Sequence, residues 1–145
     1  MRYAPYEYEY QNMNDFSRNE VLDYFLTRTF EAEEIWTLRS SNNRCFTQSL
    51  DDRESDPSCH ANLMVPVWPY KRLAQDFNNG LNTRCQIDAE SLEDFLDRSL
   101  QYFIDKHYTL NIMPRHNKPV CLIEAEKLLS ILEGMIDAGE YRMDA

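Results

Sequence analysis

A chain of 145 residues is sized for one domain with one core, and its 43% hydrophobic and 28% charged residues are globular proportions that exclude a disordered tail or a fibrous repeat. With 25 acidic against 15 basic residues the net charge is −10, which repels a phosphate backbone and makes nucleic acid an unexpected partner, while it permits a basic protein partner. The 3 glycines, Gly80, Gly134 and Gly139, build neither GxGxxG nor GxxxxGK, so loop-borne nucleotide chemistry is not expected.

Tyr6, Tyr8 and Tyr10 alternate with Glu7 and Glu9 at a period of two, which predicts an extended, tyrosine-rich arm over residues 1–14. Residues 15–138 then read as one domain and residues 139–145 as a frayed polar tail. Ser17 with Glu20 forms a capping-box pattern, and Leu22, Phe25, Leu26 and Phe30 recur at helical spacing, predicting a helix that ends near Ala32. Ile35-Trp36-Thr37-Leu38 is rich in strand formers; after the turn residues Ser41-Asn42-Asn43, Cys45-Phe46-Thr47 is expected to return as a hairpin. Asp51 to Asn62 is a polar, acidic stretch and reads as a long exposed loop.

Leu63 to Trp68 resumes extended structure, with Pro66 placing it at an edge or bulge because proline cannot donate to a ladder. Pro69 opens a short helix through Leu73, Ala74 and Phe77 that Asn78-Asn79-Gly80 ends. A strand is expected around Thr83 to Ile87. Ser91 and Asp94 cap a helix carrying Leu92, Phe95, Leu96, Leu100, Phe103 and Ile104. Tyr108, Leu110 and Ile112 alternate as a strand, Pro114 to Pro119 turn, Val120 to Ile123 return, and Ala125, Leu128, Leu129, Leu132 and Ile136 mark the last helix. The sum is an α+β fold: a mostly antiparallel sheet of about five to six strands with four helices packed against it.

Glu33-Glu34-Ile35-Trp36-Thr37-Leu38, Val65-Pro66-Val67-Trp68-Pro69 and Ser91-Leu92-Glu93-Asp94-Phe95-Leu96, followed by a hairpin and a closing helix, occur in an order that resembles the small bacterial proteins grouped as the domain-of-unknown-function 2750 family. The resemblance spans Asp15 to Glu133. It implies common ancestry and brings no activity, cofactor or catalytic residue with it. The family pattern implies a His after the Trp-Pro pair, where this chain has Tyr70, and a shorter acidic loop than Asp51 to Asn62.

No apolar run approaches the roughly 20 residues that a bilayer demands, and the amino terminus lacks a signal peptide's apolar stretch, so a cytoplasmic protein without a membrane partner is expected. Cys45, Cys59, Cys85 and Cys121 are widely spread with no CxxC, which suits reduced thiols.

Four constellations bear on function. Asp51, Asp52, Glu54 and Asp56 with Cys59 and His60 supply donor atoms, but the spacing is not that of an EF-hand and a solvated loop explains them, so no metal is assigned. Cys59 beside His60, with His107 and His116 elsewhere, lacks any cysteine-enzyme signature. Glu93, Asp94 and Asp97 complement the dipole at a helix start more simply than they make a carboxylate pair.

The fourth is aromatic. Trp36 and Trp68 are expected in the core, while Tyr6, Tyr8 and Tyr10, with Trp68 and Tyr70, are the candidate binding residues, the arm adding to a sheet edge in cis or in a homodimer. The leading reading is a non-catalytic, protein-binding module of adaptor or immunity type with no cofactor. The competing one is a small hydrolase or metal-dependent enzyme using Asp52, Asp56, Cys59 and His60, which requires those side chains to converge in a pocket.

Overall fold

The computed structural model describes residues 6–40, 46–49, 63–81, 85–114 and 121–138. Helix α1 (Glu7–Asn12) runs into a 3-10 turn (Met13–Asp15), and α2 (Arg18–Ala32) follows. Glu20 N–H donates to Ser17 Oγ at 3.2 Å and Ser17 N–H donates back to Glu20 Oε1 at 3.0 Å, the reciprocal cap expected of these two residues. Val21, Phe25, Leu26 and Phe30 form the buried stripe of α2, which ends where Glu33 turns into the left-handed region at φ 59°.

Strands β1 (Glu34–Arg39), β2 (Gln48–Ser49), β3 (Leu63–Val67), β4 (Gln86–Ser91), β5 (Thr109–Ile112) and β6 (Leu122–Glu124) make two sheets, not one. β1 pairs antiparallel with β4, and the other sheet runs β2-β3-β5-β6. Within it β3 and β5 are parallel while the other pairings are antiparallel, so the mostly antiparallel expectation holds and the single sheet is corrected to two. The chain between them supplies the long crossover that parallel strands need: α3 (Lys71–Asn79), β4, α4 (Leu92–Asp94), a π-helical turn (Phe95–Ser99) and α5 (Leu100–Asp105). Helix α6 (Ala125–Asp137) closes the fold directly after β6.

The two sheets meet at one bridge. Trp36 N–H donates to the Trp68 carbonyl at 2.8 Å and Trp68 N–H to the Trp36 carbonyl at 3.0 Å. β3 is therefore interior, and Pro66 is tolerated because the β2 pairing reaches only Leu63 and Met64, short of the position where its missing N–H would matter. Among the described residues the predicted return of Cys45-Phe46-Thr47 onto β1 is seen in Phe46 N–H donating to the Leu38 carbonyl at 2.9 Å; Cys45 lies outside the described residues, and the ladder of β1 runs along β4.

The amino-terminal segment also departs from expectation. From Glu7 it is helical rather than extended. Tyr6 N–H donates to Glu9 Oε1 at 3.0 Å, Glu7 and Glu9 occupy the first turn where the helix dipole favours acids, and Glu9 turns inward to pair with Arg28. Tyr10 donates its hydroxyl to Asp76 and lies 3.9 Å beneath the Arg72 guanidinium, while Met13 is buried in the core.

Phe25, Ile35, Leu38, Val65, Trp68, Leu73, Phe95, Leu100, Leu110, Ile112 and Leu128 are the centre of one continuous apolar core. Trp68 is the largest fully buried side chain in it, 5.2 Å from the Phe77 ring, with its indole N–H donating to the Pro114 carbonyl at 3.0 Å. Burying 150–250 Å² of such a ring stabilises the fold by about 4–6 kcal/mol on transfer grounds. Among the described residues no helix is long and apolar enough to cross a membrane.

Candidate functional site

Opposed residues of an antiparallel pair share a face. In the β1–β4 register Trp36 faces Ala89 and Leu38 faces Ile87, the apolar side turned to the core. On the other side Thr37 is opposite Asp88, Arg39 opposite Gln86, and Ile35 opposite Glu90; Ile35 and Thr37 are buried here as well, and the β4 acids with Arg39 make the outer, polar part of this side. This polar side, with the helical segment that follows β4, borders a cleft of about 770 Å³ lined by Thr37, Arg39, Thr47, Glu90, Arg98, Ser99, Tyr102, Phe103 and Tyr108. Its volume is in the range of sites that hold drug-sized ligands or part of a partner.

The helical segment starts on the Ser91 cap, where Asp94 N–H donates to Ser91 Oγ at 3.1 Å, as the Ser91/Asp94 spacing predicts. It then widens: Leu100 N–H donates to the Phe95 carbonyl five residues back. Single π-turns inside helices occur often at functional sites. Here the turn carries Arg98 and Ser99 to the cleft while Phe95, Leu96 and Leu100 stay buried. Ser99 donates its hydroxyl to Glu90 Oε1, tying the π-turn to β4.

Glu90 is the chemically distinctive group. It is half-buried, and loss of hydration raises its pKa above the ordinary 4.5, with the negative charges of Asp88 and Asp94 adding to the rise. The Ser99 hydroxyl and the Arg39 charge oppose the rise without cancelling it. The neighbouring acid on the same face, Asp88, is satisfied differently: Arg39 Nε donates to its Oδ2 at 2.8 Å. Glu90 makes no ion pair among the described residues: the Arg39 charge is felt there, but its guanidinium bonds Asp88, and the register neighbour of Glu90 is the fully buried Ile35.

Aromatic rings also line the cleft. Tyr102 is 48% exposed and meets Phe103 and Tyr108 edge-on or tilted, each pair of ring centres about 6.1 Å apart. Lys106 Nζ stands 5.7 Å from the Tyr102 ring centre, so this ring already attracts a cation.

The candidates named from sequence are dispersed. Trp68 and Tyr70 are interior, which corrects their assignment as contact residues: neither offers a face to a partner. Tyr6 and Tyr8 are exposed on α1, their rings stacked 5.8 Å apart, while Tyr10 is half-buried; a helical arm does not add to a sheet edge in the way an extended one would. Asp52, Asp56, Cys59 and His60 lie outside the described residues, as do Asp51, Glu54 and His116. His107 is exposed, at φ 59° beyond the end of α5. Burial pushes the thiols of Cys85 and Cys121 upward, away from the thiolate form that a nucleophile needs. Among the described residues no three His, Cys, Asp or Glu side chains are grouped to hold a metal ion.

Sequence reasoning missed the cleft altogether. Arg39, Glu90 and Ser99 look in the sequence like scattered surface residues, and the one local signal available was the alternation Gln86, Asp88, Glu90 against Ile87 and Ala89, which marks a strand with one polar face.

No curated protein matches the chain. No solved structure matches it either. The family model described as "Protein of unknown function (DUF2750)" matches residues 22–132, from α2 to α6 and across every residue that lines the cleft. The chain belongs to the DUF2750 family.

Proposed function

We propose that the protein is a non-catalytic binding module, and that the cleft between the β1–β4 pair and the π-turn receives part of a basic protein partner. The observation that carries this reading is Glu90: a partly desolvated carboxyl with acids nearby and, among the described residues, no ion pair of its own, the neighbouring Arg39 being bonded to Asp88, placed in a concave site with aromatic lining. A net charge of −10 supports it, because a field of one sign attracts a partner of the other and speeds encounter. Ser99, the cleft's nucleophile type by residue class, is engaged as a hydrogen-bond donor to Glu90 and has no histidine or thiol beside it among the lining residues.

The test is affinity capture from a lysate of the source cells at low and at high salt, with the unmodified protein, Tyr102→Ala and Tyr8→Ala as baits. The reading expects a partner held at low salt, released at high salt, weakened by Tyr102→Ala and indifferent to Tyr8→Ala. Capture of nothing, or of a partner equally well by all three baits, overturns it.

A further inference from the structure

The polar face of the β1–β4 pair repeats one chemical pattern and leaves it incomplete at one position. Asp88, two residues before Glu90 on the same face, is closed by the Arg39 guanidinium. Glu90 stands opposite Ile35, a side chain that donates nothing, and of its two oxygens Oε1 takes the Ser99 hydroxyl. Tyr102 and Tyr108 line the same cleft, their rings edge to face with centres 6.1 Å apart.

We infer that the occupant of this cleft is an arginine side chain of the partner, its guanidinium hydrogen-bonded to Glu90 and its stem and plane packed on Tyr102 and Tyr108. The inference rests on the binding role proposed above and names what is bound. Arginine fits better than lysine for two physical reasons. Its planar, delocalised cation stacks on aromatic rings, and it is more weakly hydrated than an ammonium group, so it enters a partly desolvated site at lower cost. The Arg39–Asp88 pair is the same contact already made within the chain. Arg39 is held by Asp88; Arg98, which lines the cleft, and Lys106, 5.7 Å from the Tyr102 ring centre, are exposed side chains that an incoming guanidinium displaces outward into solvent. The carboxyl binds such a cation in its ionised form, so arrival of the guanidinium and loss of the Glu90 proton are linked.

Nα-acetylarginine amide, its neutral isostere Nα-acetylcitrulline amide, and Nα-acetyllysine amide would be titrated into the isotope-labelled full chain while amide NMR shifts are followed. The arginine probe is expected to move the amides of Glu90, Ser99 and Tyr102 saturably. Citrulline is expected to bind at least about tenfold more weakly and lysine severalfold more weakly, as the loss of charge and of planarity requires. Glu90→Gln should abolish the preference of arginine over citrulline, and Tyr102→Ala should weaken arginine severalfold. Equal response to arginine and citrulline by the unmodified protein overturns the inference without any mutant having to fold, as does a response confined to another face. A partner that is captured in a Tyr102-dependent manner but is indifferent to Glu90→Gln would leave the binding role standing and remove the arginine. Failure of capture with all baits would remove both.

Discussion

Asn78 and Cys85 hold each other by two hydrogen bonds: Asn78 Nδ2 donates to the Cys85 carbonyl and Cys85 N–H donates to Asn78 Oδ1, both at 2.8 Å. One side chain thereby fastens the end of α3 to the start of β4, the strand that carries Asp88 and Glu90 to the cleft. Asn78 is 7% exposed, so its amide has little water to fall back on. Replacing it with alanine leaves the Cys85 N–H and carbonyl without their partner, at about 1–3 kcal/mol for a partly buried group. Asn78→Ala is expected to lower the urea midpoint accordingly with an unchanged m-value. A midpoint equal to that of the unmodified protein would show that the clamp contributes nothing.

Trp68 joins the two sheets through its backbone and fills the core with its ring. Truncation to alanine removes the ring contact with Phe77 and leaves a cavity in the core, at about 3–5 kcal/mol. Trp68→Phe keeps most of the volume but leaves the Pro114 carbonyl without the indole donor, and is expected to cost less than alanine. Chemical denaturation followed by circular dichroism ranks the two; a phenylalanine variant as unstable as the alanine one would place the weight on the N–H and not on the ring.

Glu9 and Arg28 pin α1 to α2. Glu9 Oε2 accepts from Arg28 Nη2, and the carboxylate side chain is only 8% exposed. Arg28 also donates to Glu31 Oε2 at 2.9 Å and lies over the Tyr24 ring, whose hydroxyl is driven far above its ordinary pKa by burial and by the Glu9 charge. Arg28→Ala strands a buried charge, a change worth about 3–5 kcal/mol when a partner is removed from such a pair. Because α1 is a terminal element, the loss is expected locally: amide hydrogen exchange should accelerate over residues 7–12 more than over β3 or β5. Uniform acceleration would mean that α1 is an integral part of the cooperative unit.

What could be read from sequence was local. The caps at Ser17 and Ser91 are decided by two side chains three residues apart, and the buried stripes of α2 and α6 by spacing within one helix, so both were legible. The pairing of β1 with β4 was not, because nothing near Ile35 distinguishes a short return through Phe46 from a partner brought back after α3. Tyr6 to Tyr10 fits a strand by its period of two and a helix by its i, i+4 contacts; the Tyr6–Glu9 cap and the Glu9–Arg28 pair decide for the helix, and the second of these is tertiary. The π-turn leaves the apolar spacing of Leu92, Leu96 and Leu100 intact, so the periodicity carries no trace of it. Glu90 became conspicuous only when the fold gave it Ile35 as a register neighbour and committed the nearby Arg39 to Asp88.

That environment gives Glu90 a definite effect on stability as pH changes. Its folded-state pKa lies above the unfolded value because burial, then Asp88 and Asp94, disfavour the charge, against the pull of Ser99 and Arg39. Between the two values the folded protein binds more protons than the unfolded chain, so this group's contribution is fully present below about pH 4.5 and is lost as pH rises through the folded-state pKa. Glu90→Gln removes the ionisation while preserving an acceptor for Ser99. The stability of the glutamine variant relative to the unmodified protein is therefore expected to increase from pH 4 toward pH 7 and then level off, as measured by denaturant melts at each pH. A relative stability that is flat over that range, or that falls, would mean that Glu90 is as well solvated as a surface carboxylate, and the cleft would lose the feature that draws a cation into it.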